Sequence, residues 1–128
     1  TAGFCHGDLH WGNMFLTPRG QYVLFDFDAA ALSYPIIDVS TASNCTDFNR
    51  LDATMYDATL RRFDQFYAGY SQQRTLTAAD LQGMLAFVAI RHYELIATIA
   101  SCQGHEELSL AFLDQQFNWL MQWQKVHT

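Results

Sequence analysis

Two textures divide the chain. Between Phe4 and Asp28, apolar and polar residues change over short distances and are broken by Gly, Asn and Pro. After Ser33, apolar residues recur at three- and four-residue steps, the period of helices packed on one face. In the first part Thr17-Pro18-Arg19-Gly20 reads as a tight turn, with Pro suited to its second position. It joins Met14–Leu16 to Gln21–Phe27, which predicts a small β-hairpin with Val23 and Phe25 on one face.

In the second part Asp52 to Tyr70 reads as a helix. Met55, Phe63, Phe66, Tyr67 and Tyr70 lie on its apolar side, and Arg61, Arg62 and Asp64 face out. Thr77 to Asp80 reads as a helix start, the Thr hydroxyl capping a free N–H and Asp80 favouring the positive end. Leu81, Met84, Leu85, Val88, His92, Leu95, Ile96 and Ile99 continue that helix, and Gly104 stops it. A last helix, roughly Glu106 to Lys125, presents Leu108, Phe112, Leu120 and Met121, with Trp119 and Trp123 alongside. The expected fold class is α+β, mainly α, without repeats or linkers.

Composition sharpens this picture in a few places. The 128 residues suit one domain or part of one, and 50% hydrophobic with 15% aromatic residues excludes a disordered chain. Seven Lys and Arg against thirteen Asp and Glu leave a net charge of −6. That supplies no basic stripe for nucleic acid and nothing to hold an anionic membrane surface. The stretch Met84 to Ser101 is apolar, but Arg91, His92 and Glu94 near its middle point to a buried helix and not a membrane span. Cys5, Cys45 and Cys102 are odd in number and widely spaced, which fits a reducing, cytoplasmic setting.

The chemistry concentrates in His6-Gly7-Asp8-Leu9-His10-Trp11-Gly12-Asn13 and in Phe25-Asp26-Phe27-Asp28. Asp8, Asn13 and Asp26 stand on loops flanking one hairpin and could converge on one point. Hard divalent ions such as Mg²⁺ choose carboxylate and amide oxygens and share them with phosphate. A carboxylate free of metal could instead accept a proton from an attacking hydroxyl.

The spacing His6-x-Asp8-x-x-x-x-Asn13 with a later Asp26 is the kinase catalytic-loop pattern. Its particular form resembles the aminoglycoside phosphotransferase and choline kinase group, whose relatives include homoserine kinases. The resemblance implies an ATP- and Mg²⁺-dependent transfer of the γ-phosphate to a hydroxyl of a small molecule. It implies Asp8 as the catalytic base and His6 as the residue that braces the loop. Asn13 and Asp26 would hold Mg²⁺ against the phosphates of ATP, and Asp28 would assist in metal binding or face the substrate. Asp38 would tie the next helix to the catalytic loop.

It implies, too, a protein-kinase-like C-lobe over 1–128, with 1–43 carrying the catalytic loop, hairpin and metal loop and 44–128 a helical subdomain. The nucleotide-binding N-lobe has no counterpart: Lys125 is the sole lysine, and no Gly-rich loop precedes a strand. The chain is therefore expected to be a fragment of a longer kinase, inactive without its N-lobe.

Other readings compete. A kinase-like binding module that no longer catalyses would equally lack the strand lysine. His6, Asp8 and His10 could form a metal trio of the kind a metal-dependent phosphoesterase uses, although His92, His105 and His127 come without the further clusters such enzymes need. Cys5 beside His6 suggests a dyad, but adjacent extended residues point to opposite sides. Asp38 could be a helix N-cap. His92 and the aromatic stripe of Phe63, Phe66, Tyr67 and Tyr70 read as core, some of it uncovered in a lone lobe. Trp119 and Trp123 read as packing residues, or as an aromatic wall for a cationic acceptor.

Overall fold

Short strands come first and helices afterwards, as the two textures require. The computed structural model describes residues 2–103 and 108–127. Strands β1 (Gly3–Cys5), β2 (Met14–Leu16), β3 (Tyr22–Leu24) and β4 (Ala31–Ser33) precede helices α1 (Ile36–Ser43), α2 (Ala53–Tyr70), α3 (Ala78–Gln103) and α4 (Leu110–His127). The architecture is α+β and mainly helical.

The expected hairpin is present: β2 pairs antiparallel with β3, Phe15 opposite Val23. Its turn closes through Gly20 N–H donating to the Thr17 carbonyl at 2.9 Å. Gly20 supplies the positive φ of 77° that the turn needs. The second strand is shorter than the apolar run suggested, ending at Leu24, so Asp26 lies beyond it in a left-handed conformation at φ 63°. A second ladder, β1 with β4, joins Gly3 to Ser33 and Cys5 to Ala31. No alternation in the sequence marks these three-residue strands.

The helix boundaries follow their caps. Asp52 caps α2 by accepting from the Met55 N–H at 3.1 Å. The Thr54 hydroxyl, followed by that same N–H, holds its carboxyl below the ordinary range. Thr77 and Asp80 exchange hydrogen bonds at the start of α3: Asp80 N–H donates to the Thr77 hydroxyl, and Thr77 N–H donates to the Asp80 carboxylate. The α4 start is later than the pattern suggested, with the Ser109 hydroxyl accepting from Phe112 N–H at 3.1 Å. The proposed stop at Gly104 and start at Glu106 lie outside the described residues.

Helix α1 packs against both α2 and α3, and Ser40 donates to the Met84 carbonyl at 3.0 Å. Ile36, Val39, Leu76, Met84, Val88, Trp119 and Trp123 form the core, with Phe63, Phe66, Tyr67 and Tyr70 packed on it half-buried. Trp119 and Trp123 are therefore core residues, and an edge of Trp119 also borders an open cleft with Asn49, Asp114 and Asn118. The buried stripe of α4 is Gln116, Trp119 and Trp123, while Met121 is exposed. Arg62 does not simply face out: it is half-buried and its Nη1 donates to the Asn44 carbonyl. By length and composition α3 could cross a bilayer. It is not the buried helix the sequence suggested, since only 11% of that apolar window is buried, but Arg91 and His92 in its middle are tied to Asp8 and Gln116.

Candidate active site

The loop from His6 to Asn13 is held in place from three directions. From α1, the Asp38 carboxylate accepts the backbone N–H of His6 at 2.7 Å and of Gly7 at 2.8 Å. Asp38 sits in the first turn of α1 and not at its cap; Pro35 holds the cap position without a side-chain hydrogen bond. Hydrogen bonds to an ionised acceptor are about twice as strong as neutral ones, so this pair of contacts is a firm clamp.

From the hairpin, the His6 ring reaches the Phe25 carbonyl at 2.9 Å through Nε2. Its Nδ1 accepts the Asp8 N–H at 3.3 Å, so Nε2 carries the proton and donates. His6 is buried, and its ring lies 4.5 Å from that of Phe27. Both ring nitrogens are thus engaged, which removes His6 from a metal trio with Asp8 and His10. From the turn after Phe27, the Ala29 carbonyl crowds Gly7: a Cβ there would come within 2.1 Å of that oxygen, and φ is +81°. Only glycine fits.

On this loop Asp8 gathers several partners. Asn13 Nδ2 donates to the Asp8 carbonyl at 3.0 Å and to its Oδ2 at 3.3 Å. Arg91 of α3 donates to Oδ1 at 2.6 Å. His10 Nε2 lies 3.5 Å from Oδ2, while its Nδ1 accepts from Gly12 N–H. Asn13 is buried, and its carbonyl accepts from Phe25 N–H at 3.1 Å. That bond extends the β2–β3 ladder by one pair, so Asn13 and Asp26 stand at the same end of the hairpin. Asp26 and Asp28 are both exposed there. Among the described residues no three His, Cys, Asp or Glu side chains cluster as metal ligands.

Cys5 does not pair with His6. Its thiol is buried and donates to the Gly3 carbonyl, and burial, with the Asp38 charge second, pushes its pKa up. A raised thiol pKa is the wrong direction for a nucleophile. Arg91 was not among the residues the sequence singled out for chemistry. Its signal was there, since a lone arginine inside an apolar helix needs a partner.

Residues 1–76 match the sequence profile of the phosphotransferase enzyme family (APH). The chain is 34% identical over 130 residues to an uncharacterized protein of Deinococcus radiodurans, an alignment taking in 98% of this chain and 36% of that protein. It therefore spans about a third of that relative's length. No solved structure matches the chain.

Proposed function

This chain belongs to the phosphotransferase enzyme family, and from that premise we propose that it is the kinase-like C-lobe of an ATP- and Mg²⁺-dependent enzyme. That enzyme moves the γ-phosphate to a hydroxyl of a small molecule, in the cytoplasm, with a nucleotide-binding N-lobe supplied by the rest of the protein. The observation that carries this reading is the Asp8 carboxylate, held by Asn13 and Arg91 on a loop that Asp38 clamps.

Asp8 orients the acceptor hydroxyl and takes its proton as the new oxygen–phosphorus bond forms. Phosphoryl transfer asks mainly for positioning and charge neutralisation, and a carboxylate with fixed partners supplies the first. His6 braces the loop through its two hydrogen bonds and touches no reacting atom. Asn13 and Asp26 fit a Mg²⁺ site: Asn13 turns its amide nitrogen to Asp8, which leaves Oδ1 for a cation, and Asp26 offers a carboxylate at the same hairpin end. Two protein oxygens with phosphate completing the shell is the usual habit of Mg²⁺, and the ion would neutralise the phosphate charge. Asp28 is placed to assist from the adjoining turn.

The strand faces support an N-lobe or other cover, since Phe4, Phe15, Leu16, Tyr22 and Leu32 are all more than half exposed. The test is Asp8→Ala in the full-length protein, with transfer from radiolabelled ATP measured across a panel of hydroxyl acceptors. Transfer is expected to fall by about 10²–10⁴-fold while ATP binding is retained. Retention of most of the turnover would sink the assignment. A wild-type protein that binds nucleotide and transfers nothing would favour a binding module.

A further inference from the structure

We propose that Arg91 is a positioning residue for phosphoryl transfer: from α3 it fixes the orientation of the Asp8 carboxylate. This rests on the kinase reading above. The two residues are 83 apart in sequence, yet the guanidinium Nη2 lies 2.6 Å from Asp8 Oδ1. The other carboxylate oxygen is held by Asn13 at 3.3 Å. Two donors from different elements, one on each oxygen, leave the carboxylate plane little freedom to rotate. Glu94 in turn lies 3.4 Å from Arg91 Nη1, so the guanidinium is itself braced along its own helix.

The energetics point the same way. The Arg91 side chain is only 16% exposed, and its buried Nε–H has no hydrogen-bond partner. A buried donor left unmade is unfavourable, and an apolar side chain of similar volume would suit the interior of α3 better. Of the two carboxylates the guanidinium meets, Glu94 is on its own helix and more than half exposed, and the shorter contact is the one to Asp8.

Arg91 also borders a cleft of about 340 Å³ with Gly7, Ile37, Glu94 and Thr98, which Asp8 does not line. In the transfer step the acceptor hydroxyl donates to the Asp8 carboxylate, which Arg91 and Asn13 hold in place. As the acceptor oxygen bonds to the γ-phosphorus, the bond from phosphorus to the ADP oxygen breaks and the hydroxyl proton passes to Asp8. Arg91 donates the same hydrogen bond throughout and transfers no proton, since a guanidinium stays charged. Misplacement of a reacting group by about 1 Å can lower a rate by about 10²-fold.

The experiment uses the full-length protein and phosphate release from Mg²⁺·ATP, with water as the acceptor probe. Arg91→Met is expected to lower kcat by about 10²-fold, and Arg91→Lys by about 10-fold, because a point charge replaces a planar fork. KM for ATP is expected to stay within about twofold in both, as Arg91 is placed on the base and not on the nucleotide. Guanidinium ion added to Arg91→Ala is expected to restore part of kcat. Separately, ¹⁵N spectra are expected to resolve the two Arg91 Nη groups in the wild type and to merge them in Asp8→Asn. Arg91→Met with wild-type kcat overturns the positioning role alone. A wild-type protein that releases no phosphate overturns the kinase reading, and the positioning role with it. If Arg91→Met does not fold, Arg91→Lys decides: an unchanged kcat overturns the role, and a tenfold fall at constant KM supports it.

Discussion

The strand-and-loop region before α1 and the helical body after it are built on opposite plans. In the body, large apolar side chains are inside: Ile36, Val39, Val88 and Trp119 are almost wholly buried. In the first region two polar side chains, His6 and Asn13, are buried beside Cys5, while large apolar ones lie outside: Leu32 is 83% and Phe4 68% exposed. The body is therefore held by removal of apolar surface from water, a non-directional force that tolerates changes of residue at constant volume. The loop region is held by directed contacts, Asp38 to two backbone N–H groups, His6 to the Phe25 carbonyl and Gly7 under Ala29. Directed contacts fix atoms to within fractions of an ångström, which a catalytic carboxylate needs and a core does not.

This contrast can be broken by experiment. The largest effect is expected in the body. Trp119→Ala removes a ring stacked on His92 and Trp123, together with its hydrogen bond to the Asp47 carbonyl. It should lower the unfolding free energy in urea by about 3–5 kcal/mol. Asp38→Ala leaves two backbone N–H groups without their acceptor and should lower it by about 3 kcal/mol, with loss of transfer activity in the full-length protein. A Trp119 loss no larger than that of an exposed aromatic would mean that the aromatic stack is not the core.

A smaller, pH-dependent effect belongs to His92. Its ring lies between Phe48 and Trp119 and meets Gln116 at 2.6 Å, and burial lowers its pKa from 6.5. The unfolded chain therefore takes the proton at a higher pH than the folded one. The stability linked to His92 is full above about pH 6.5 and is lost as pH falls from there toward the lowered folded value. Melting temperature should drop over that interval, and His92→Gln should flatten the profile; an identical profile in the variant removes His92 as the cause. The smallest effect is expected in the first region. Leu32→Ser, on an exposed strand face, should change stability by no more than about 0.5 kcal/mol. A loss above about 1 kcal/mol in the full-length protein would locate a cover on that face.

Where local chemistry is self-sufficient, the sequence by itself determined the outcome. Asp52, Thr77 and Asp80 are caps that act on N–H groups three residues away, and the starts of α2 and α3 were legible for that reason. Thr17 to Gly20 likewise closes its own turn. The spacing of His6, Asp8 and Asn13 was legible because a short loop brings them together whatever surrounds it. The three-residue strands β1 and β4 left no period to read, since their pairing partner lies about 28 residues away. Face assignment on α4 failed in part because every turn of that helix offers apolar choices, and only the position of His92 and the core selects Trp119 and Trp123. Arg91 on Asp8 and Asp38 beneath the loop are contacts across 83 and 31 or more residues. Local propensity carries no information about such distances; the packing of α1 against α3, and of both against the first loop, decided them.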